Sequence, residues 1–170
     1  MRMKYLTTAP RQTKKLGGIL AKEILKTQPK KRSLIFGLEG DLGGGKTTFL
    51  QGFAKGLGIK EKILSPTFVI VKKFSITGLP FTEAKAKKRT KFSSPSSFQF
   101  SNFYHIDCYR IKKPKEILEL GFKEIISNPQ NIVAVEWADR IKKVIPKEGV
   151  MWVSFAFLGR NKRKIVIKFK

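Results

Sequence analysis

Acidic residues are scarce in this chain. Only 12 aspartates and glutamates stand against 36 lysines and arginines, a formal net charge of +24 over 170 residues. A surface so short of negative charge is ill-suited to polycationic partners and directs attention to polyanions, RNA first. A basic composition that merely coats a solvated surface explains the same number, and the sequence leaves both readings open. Cysteine occurs once, at Cys108, so neither an internal disulfide nor a multi-thiolate metal site can be built. Histidine also occurs once, at His105, which reads as a packed structural residue rather than a catalyst. Long apolar runs are missing: the longest, Val150 to Leu158, is strand-length and broken by Ser154. The basic first residues, Met1 to Thr8, lack the apolar centre of a signal peptide, and a cytoplasmic chain with no membrane association is the expectation. The length suits a single domain spanning 1–170.

What is present is organised around Gly40-Asp41-Leu42-Gly43-Gly44-Gly45-Lys46-Thr47, a complete G-x-x-x-x-G-K-[ST] phosphate loop. An apolar strand, Ser33 to Glu39, precedes it. A helix follows, with Phe49, Leu50, Phe53 and Leu57 on one face and Gly58 as its C-terminal cap. Glycines let such a backbone turn its N–H groups inward around phosphate oxygens, and the helix start adds its positive dipole end. Lys46 is placed to reach the β- and γ-phosphates, and the Thr47 hydroxyl to hold Mg²⁺.

Elsewhere the pattern alternates between strands and helices. Thr8 and Pro10 open a helix whose apolar stripe is Leu16, Ile19, Leu20, Ile24 and Leu25. Ser65-Pro66-Thr67 turns into a strand expected over 68–74, with Thr67 placed to sense a γ-phosphate. Residues 78–101 form a basic, Ser/Pro-rich insertion between two hairpin strands, with Phe92, Phe98 and Phe100 as candidate stacking or docking groups. Strands 102–107 and 131–136 each end in a carboxylate, Asp107 and Glu136, the second in the form of the second acidic motif of phosphate-loop enzymes. Helical turns over 114–120 and 121–126 lie between them, and a short helix runs from Ile141 to Val144. Strands 150–158 and 164–169 make a C-terminal antiparallel hairpin. Asn161-Lys162-Arg163-Lys164 lacks the Asp of a guanine-reading motif, which favours adenine or no strong base preference. The fold class is therefore α/β, a phosphate-loop three-layer sandwich with a mixed, mostly parallel central sheet.

Four stretches in this order resemble the TsaE (YjeE/YdiB) family: Gly40 to Phe49, Ser65 to Phe68, His105 to Arg110 and Val135 to Ala138. Glu119-Leu120-Gly121 and Leu158-Gly159-Arg160 also follow its pattern; Gly44 stands where the family often has Ala, and the 78–101 insertion is longer than its usual connection. The resemblance implies an ATPase of tRNA threonylcarbamoyladenosine (t6A) biosynthesis that binds ATP and Mg²⁺ and is slow alone. Its implied partners are TsaD and TsaB, the heterodimer that transfers the threonylcarbamoyl group to a tRNA adenosine. By matching position, Asp41, Leu42, Gly43, Gly44, Gly45, Lys46, Thr47 and Thr48 cradle the nucleotide. Lys46, Glu136, Asp107 and Thr67 serve hydrolysis, and Thr47 with Glu136 and Asp107 serves the metal. Trp137 packs near the nucleotide. The residues by themselves also admit a small-molecule kinase, or a basic RNA-binding module with a structural nucleotide.

Overall fold

The computed structural model describes residues 2–27, 31–77 and 100–169. The Phe92 and Phe98 proposal for the insertion lies outside them. In chain order the elements are β1 (Arg2–Thr7), α1 (Pro10–Ile24), β2 (Leu34–Gly40), α2 (Lys46–Gly56), β3 (Val71–Ser75) and β4 (Asn102–Asp107). There follow α3 (Pro114–Glu119), α4 (Phe122–Ser127), β5 (Asn131–Glu136), a 3₁₀ turn (Ala138–Ile141), β6 (Val150–Phe157) and β7 (Arg163–Phe169).

The strands form one seven-stranded sheet in the order β1-β7-β6-β2-β5-β4-β3. Its centre is parallel, β6-β2-β5-β4, and its outer pairings β1-β7, β6-β7 and β3-β4 are antiparallel. Burial explains the division. All six residues of β5 are buried, as a strand covered by helices on both faces must be, and its sequence is nearly continuous in apolar residues. One face packs against α1 and α2 through Phe36, Phe49, Phe53, Phe103 and Phe155. The other packs Ile35, Val133 and Val135 against Ile117, Phe122 and Ile141 from α3, α4 and the 3₁₀ turn. The register sets Asp107 beside Glu136 at the carboxyl edge of the sheet. Gly40 closes β2 at the same edge, where the phosphate loop leaves it, the usual place for ligands in parallel sheets.

Several expectations change in the fold. The N-terminal residues, read only for targeting, form edge strand β1 paired with β7. Thr8 does not cap α1: Ala9 is the N-cap residue, and the Thr8 N–H and hydroxyl donate to Gln12 Oε1. The buried face of α1 is Thr13, Gly17, Ala21 and Ile24, whereas Ile19 is half exposed. Small residues win that face because α1 lies directly on the α2 backbone: a Cβ on Gly17 would stand 2.3 Å from Phe49 O, and one on Gly52 1.9 Å from Lys14 O. The strand expected from residue 68 starts at Val71, because the N–H groups of Val69 and Ile70 turn back onto the Pro66 carbonyl. Phe100 is buried in the core and is not a surface docking group. The helix expected from Ile141 is instead the 3₁₀ turn beginning at Ala138. Gly58 does end α2 in the left-handed conformation (φ +82°).

Candidate functional site: a phosphate loop facing two carboxylates

The loop joining β2 to α2 turns through Gly43 (φ +73°) and Gly45 (φ +101°), conformations that side chains disfavour. Arg163 of β7 braces it from behind. Its Nη2 donates to Gly43 O at 3.4 Å, and its Cδ lies 2.9 Å from where a Cβ on Gly45 would stand. Gly45 is the N-cap residue of α2 and Lys46 its first residue, so unpaired N–H groups and the positive end of the helix dipole open into the loop.

Lys46 is only 5 % exposed. Its ammonium donates to Gly40 O (2.6 Å) and Asp41 O (2.9 Å) and lies 3.8 Å from the centre of the Trp137 ring. Burial lowers its pKa from the ordinary lysine value, and the carboxylates of Glu136, Asp107, Asp139 and Asp41 oppose that shift. Trp137 sits just past the end of β5 in the left-handed region (φ +58°), which aims its ring back over the loop.

Opposite the loop, Glu136 accepts the Thr47 hydroxyl, with both carboxylate oxygens at 2.9 Å from Oγ1. Behind it, His105 Nε2 lies 2.8 Å from Oε1, both side chains being buried. Asp107 accepts Thr67 Oγ1 at 2.8 Å and the Ser65 hydroxyl on Oδ2, and the Tyr109 N–H on Oδ1. The Ser65–Ile70 turn thus hangs from Asp107, and Ile70 within it holds φ +66°, an uncommon conformation for a β-branched residue.

A cavity of about 390 Å³ is lined by Leu42, Gly43, Gly45, Lys46, Thr47, Thr48, Ser65, Thr67, Asp107, Tyr109, Glu136 and Trp137. Ten of the twelve residues expected at the site therefore share one cavity. Asp41 and Gly44 do not line it; the Asp41 carbonyl accepts from Gly44 N and from Lys46, so these two shape the loop from within. Ser65, Tyr109 and His105 were not expected at the site. Ser65 and Tyr109 sat in recognised stretches as bystanders, and the pairing of His105 with Glu136 joins neighbouring strands that no local pattern links.

A parallel-centred sheet with this loop at its carboxyl edge and two acidic strand ends facing it defines a P-loop protein of the α/β class. The chain belongs to the TsaE family: the family model described as threonylcarbamoyl adenosine biosynthesis protein TsaE matches residues 7–165. It is 34% identical over 146 residues to the tRNA threonylcarbamoyladenosine biosynthesis protein TsaE of Bacillus subtilis, covering 86% of this chain and 73% of that one. It is 31% identical over 128 residues to the protein of the same name from Borreliella burgdorferi, covering 75% and 77%. The crystal structure of Bacillus subtilis YdiB superposes with a TM-score of 0.69 at 28% identity, over 98% of this chain and 84% of that one. No helix among the described residues is long and apolar enough to cross a membrane.

Proposed function

We propose that this chain is a Mg²⁺-dependent ATPase that sustains t6A modification of tRNA by acting on a TsaB–TsaD complex, without transferring the threonylcarbamoyl group itself. The observation that carries the reading is the Thr47–Glu136 contact at the open end of a complete phosphate loop. The loop N–H groups and Lys46 bind the phosphates, Lys46 exchanging its two backbone carbonyl partners for phosphate oxygens. Thr67 and Ser65, tied to Asp107, sit where a γ-phosphate contact would reach the turn that carries exposed Phe68 and Val69. That turn offers a partner a surface that differs between nucleotide states.

The donor set suits magnesium. Thr47, Glu136 and Asp107 present only hard oxygens, and no cluster of three or more His, Cys, Asp or Glu able to hold a metal occurs among the described residues. An ion held partly by nucleotide phosphates fits such a site, with Thr47 and one of the two carboxylates as its protein ligands. When bound, it would neutralise charge developing on the transferred phosphoryl group. Glu136 and Asp107 orient the attacking water, and the reaction takes place in the cytoplasm.

The test is multiple-turnover threonylcarbamoylation of tRNA by the cognate TsaB, TsaD and carbamoyl-adenylate synthase, with wild-type chain, Lys46→Ala, or neither. Sustained turnover with wild type only is expected. Turnover indifferent to both proteins would overturn the reading.

A further inference from the structure

The loops that follow β4 and β5 emerge side by side at the carboxyl edge of the sheet, next to the nucleotide cavity. Arg140 joins them by donating from Nη1 to Tyr109 O at 2.5 Å. Between them lies a second cavity of about 470 Å³, lined by Pro114, Asp139, Arg140, Lys142 and Lys143. Arg110, Lys112 and Lys113 stand exposed on the neighbouring loop. None of these six cations is in a salt bridge among the described residues. Asp139 is the single carboxylate of the lining, and nearby Glu116 is engaged by the backbone N–H groups of Lys112 and Lys113. That engagement also holds the loop in one shape before anything binds.

Aromatic rings interleave with these charges. The Arg110 guanidinium lies 4.2 Å from the centre of the Phe68 ring, and Phe68 is 83 % exposed. Arg140 lies 5.3 Å from the Tyr109 ring and 5.5 Å from Trp137, which in turn covers Lys46. Uncompensated charge would serve any polyanion. Exposed rings paired with guanidinium planes favour one with stackable bases, because base–aromatic stacking adds affinity that an acidic protein surface does not draw on.

We infer that the basic groove of Arg110, Lys112, Lys113, Arg140, Lys142 and Lys143 binds the sugar–phosphate backbone of RNA, with Phe68 and Tyr109 as stacking faces at its nucleotide-site end. The inference rests on the proposed role in t6A formation only for the kind of RNA, tRNA. It places RNA on the rim of the nucleotide site rather than on the 78–101 insertion.

The experiment is fluorescence anisotropy of a labelled, unmodified tRNA transcript titrated with nucleotide-free protein at several salt concentrations. One variant carries Lys112→Ala, Lys113→Ala, Lys142→Ala and Lys143→Ala together, which spares Arg140 and its contacts to Tyr109 and Trp137. A matched control removes the same charge from the opposite face of the sheet, with Lys14, Lys15, Lys22 and Lys55 changed to Ala. The groove variant is expected to lose about tenfold or more in affinity near 100 mM salt, and its salt slope to fall by about 3, while the control keeps nearly the wild-type slope. Phe68→Ala is expected to weaken binding about fivefold with little change in slope, since stacking is not a counterion effect. Equal losses in groove and control variants would overturn the inference in favour of diffuse charge. Unchanged tRNA binding with lost stimulation by TsaB–TsaD would overturn it in favour of a protein-docking groove. Because binding is read without nucleotide, failure of the ATPase reading would leave this result standing.

Discussion

His105 Nε2 and Glu136 Oε1 lie 2.8 Å apart with both side chains buried, while His105 Nδ1 is buried without a partner among the described residues. An imidazole with one bonded and one empty nitrogen is best accommodated as the tautomer that carries its proton on Nε2 and donates it to the carboxylate. The ring is fully buried and stacks on Phe103, so it holds Glu136 in place and thereby the Thr47 contact. A positioning histidine follows from this geometry.

His105→Gln keeps an amide N–H near the Nε2 position and His105→Phe keeps only the ring. Partner-stimulated hydrolysis is expected to fall about 10–100-fold in His105→Phe, the cost typical of losing a ligand-orienting partner. His105→Gln is expected to recover most of that loss, with kcat moving more than KM. Steady-state kinetics of both variants, beside their thermal melts, distinguish positioning from mere loss of stability.

Ser65 and Thr67 both donate to Asp107 Oδ2, so their contributions are shared. Ser65→Ala, Thr67→Ala and the double variant form a cycle whose coupling energy is expected to be about 0.5–3 kcal/mol, in unfolding free energy or in nucleotide affinity. Additive effects would show that the two hydroxyls act separately.

The α1–α2 contact predicts a large effect from the smallest substitution. A methyl group on Gly52 meets the Lys14 carbonyl at 1.9 Å, and backbone cannot rotate away as a side chain can. Gly52→Ala is expected to cost about 3 kcal/mol, at the upper end of overpacking effects. That corresponds to a fall of roughly 6–12 °C in Tm for a chain of this size. Differential scanning calorimetry measures it; Gly43→Ala, with nothing within 4 Å but a positive φ, is expected to cost about 1 kcal/mol from backbone strain alone.

Cys108 is buried, and burial pushes its thiol from 9.0 up to about 12. The unfolded chain therefore loses this proton first as the pH rises. The stabilising contribution is complete below pH 9.0 and is lost between 9.0 and about 12. Relative to Cys108→Ala, the wild type is expected to lose about 1.4 kcal/mol between pH 7 and pH 10 in urea unfolding. Native protein should resist thiol reagents at neutral pH until it opens.

The amino-acid sequence by itself determined the phosphate loop, its flanking strand and helix, and the two acidic strand ends. Each is a local pattern: a glycine spacing, an apolar run, a helical period, all written in consecutive residues. Strands 102–107 and 131–136 could be read to the residue because both are nearly continuous runs that end in a charge. Tertiary structure alone decided what meets across chain separation. His105 reaches Glu136 because β4 and β5 are parallel neighbours, and Ser65 joins Thr67 on Asp107 because Pro66 bends the chain before β3 begins. Likewise the most buried line of α1 runs along Gly17 and Ala21, with Leu16 and Leu20 partly buried against the core beside it and Ile19 half exposed, since the favourable contact there is closeness to the α2 backbone and not side-chain bulk. Hydrophobic periodicity reports which residues avoid water; it carries no information about how closely two backbones approach.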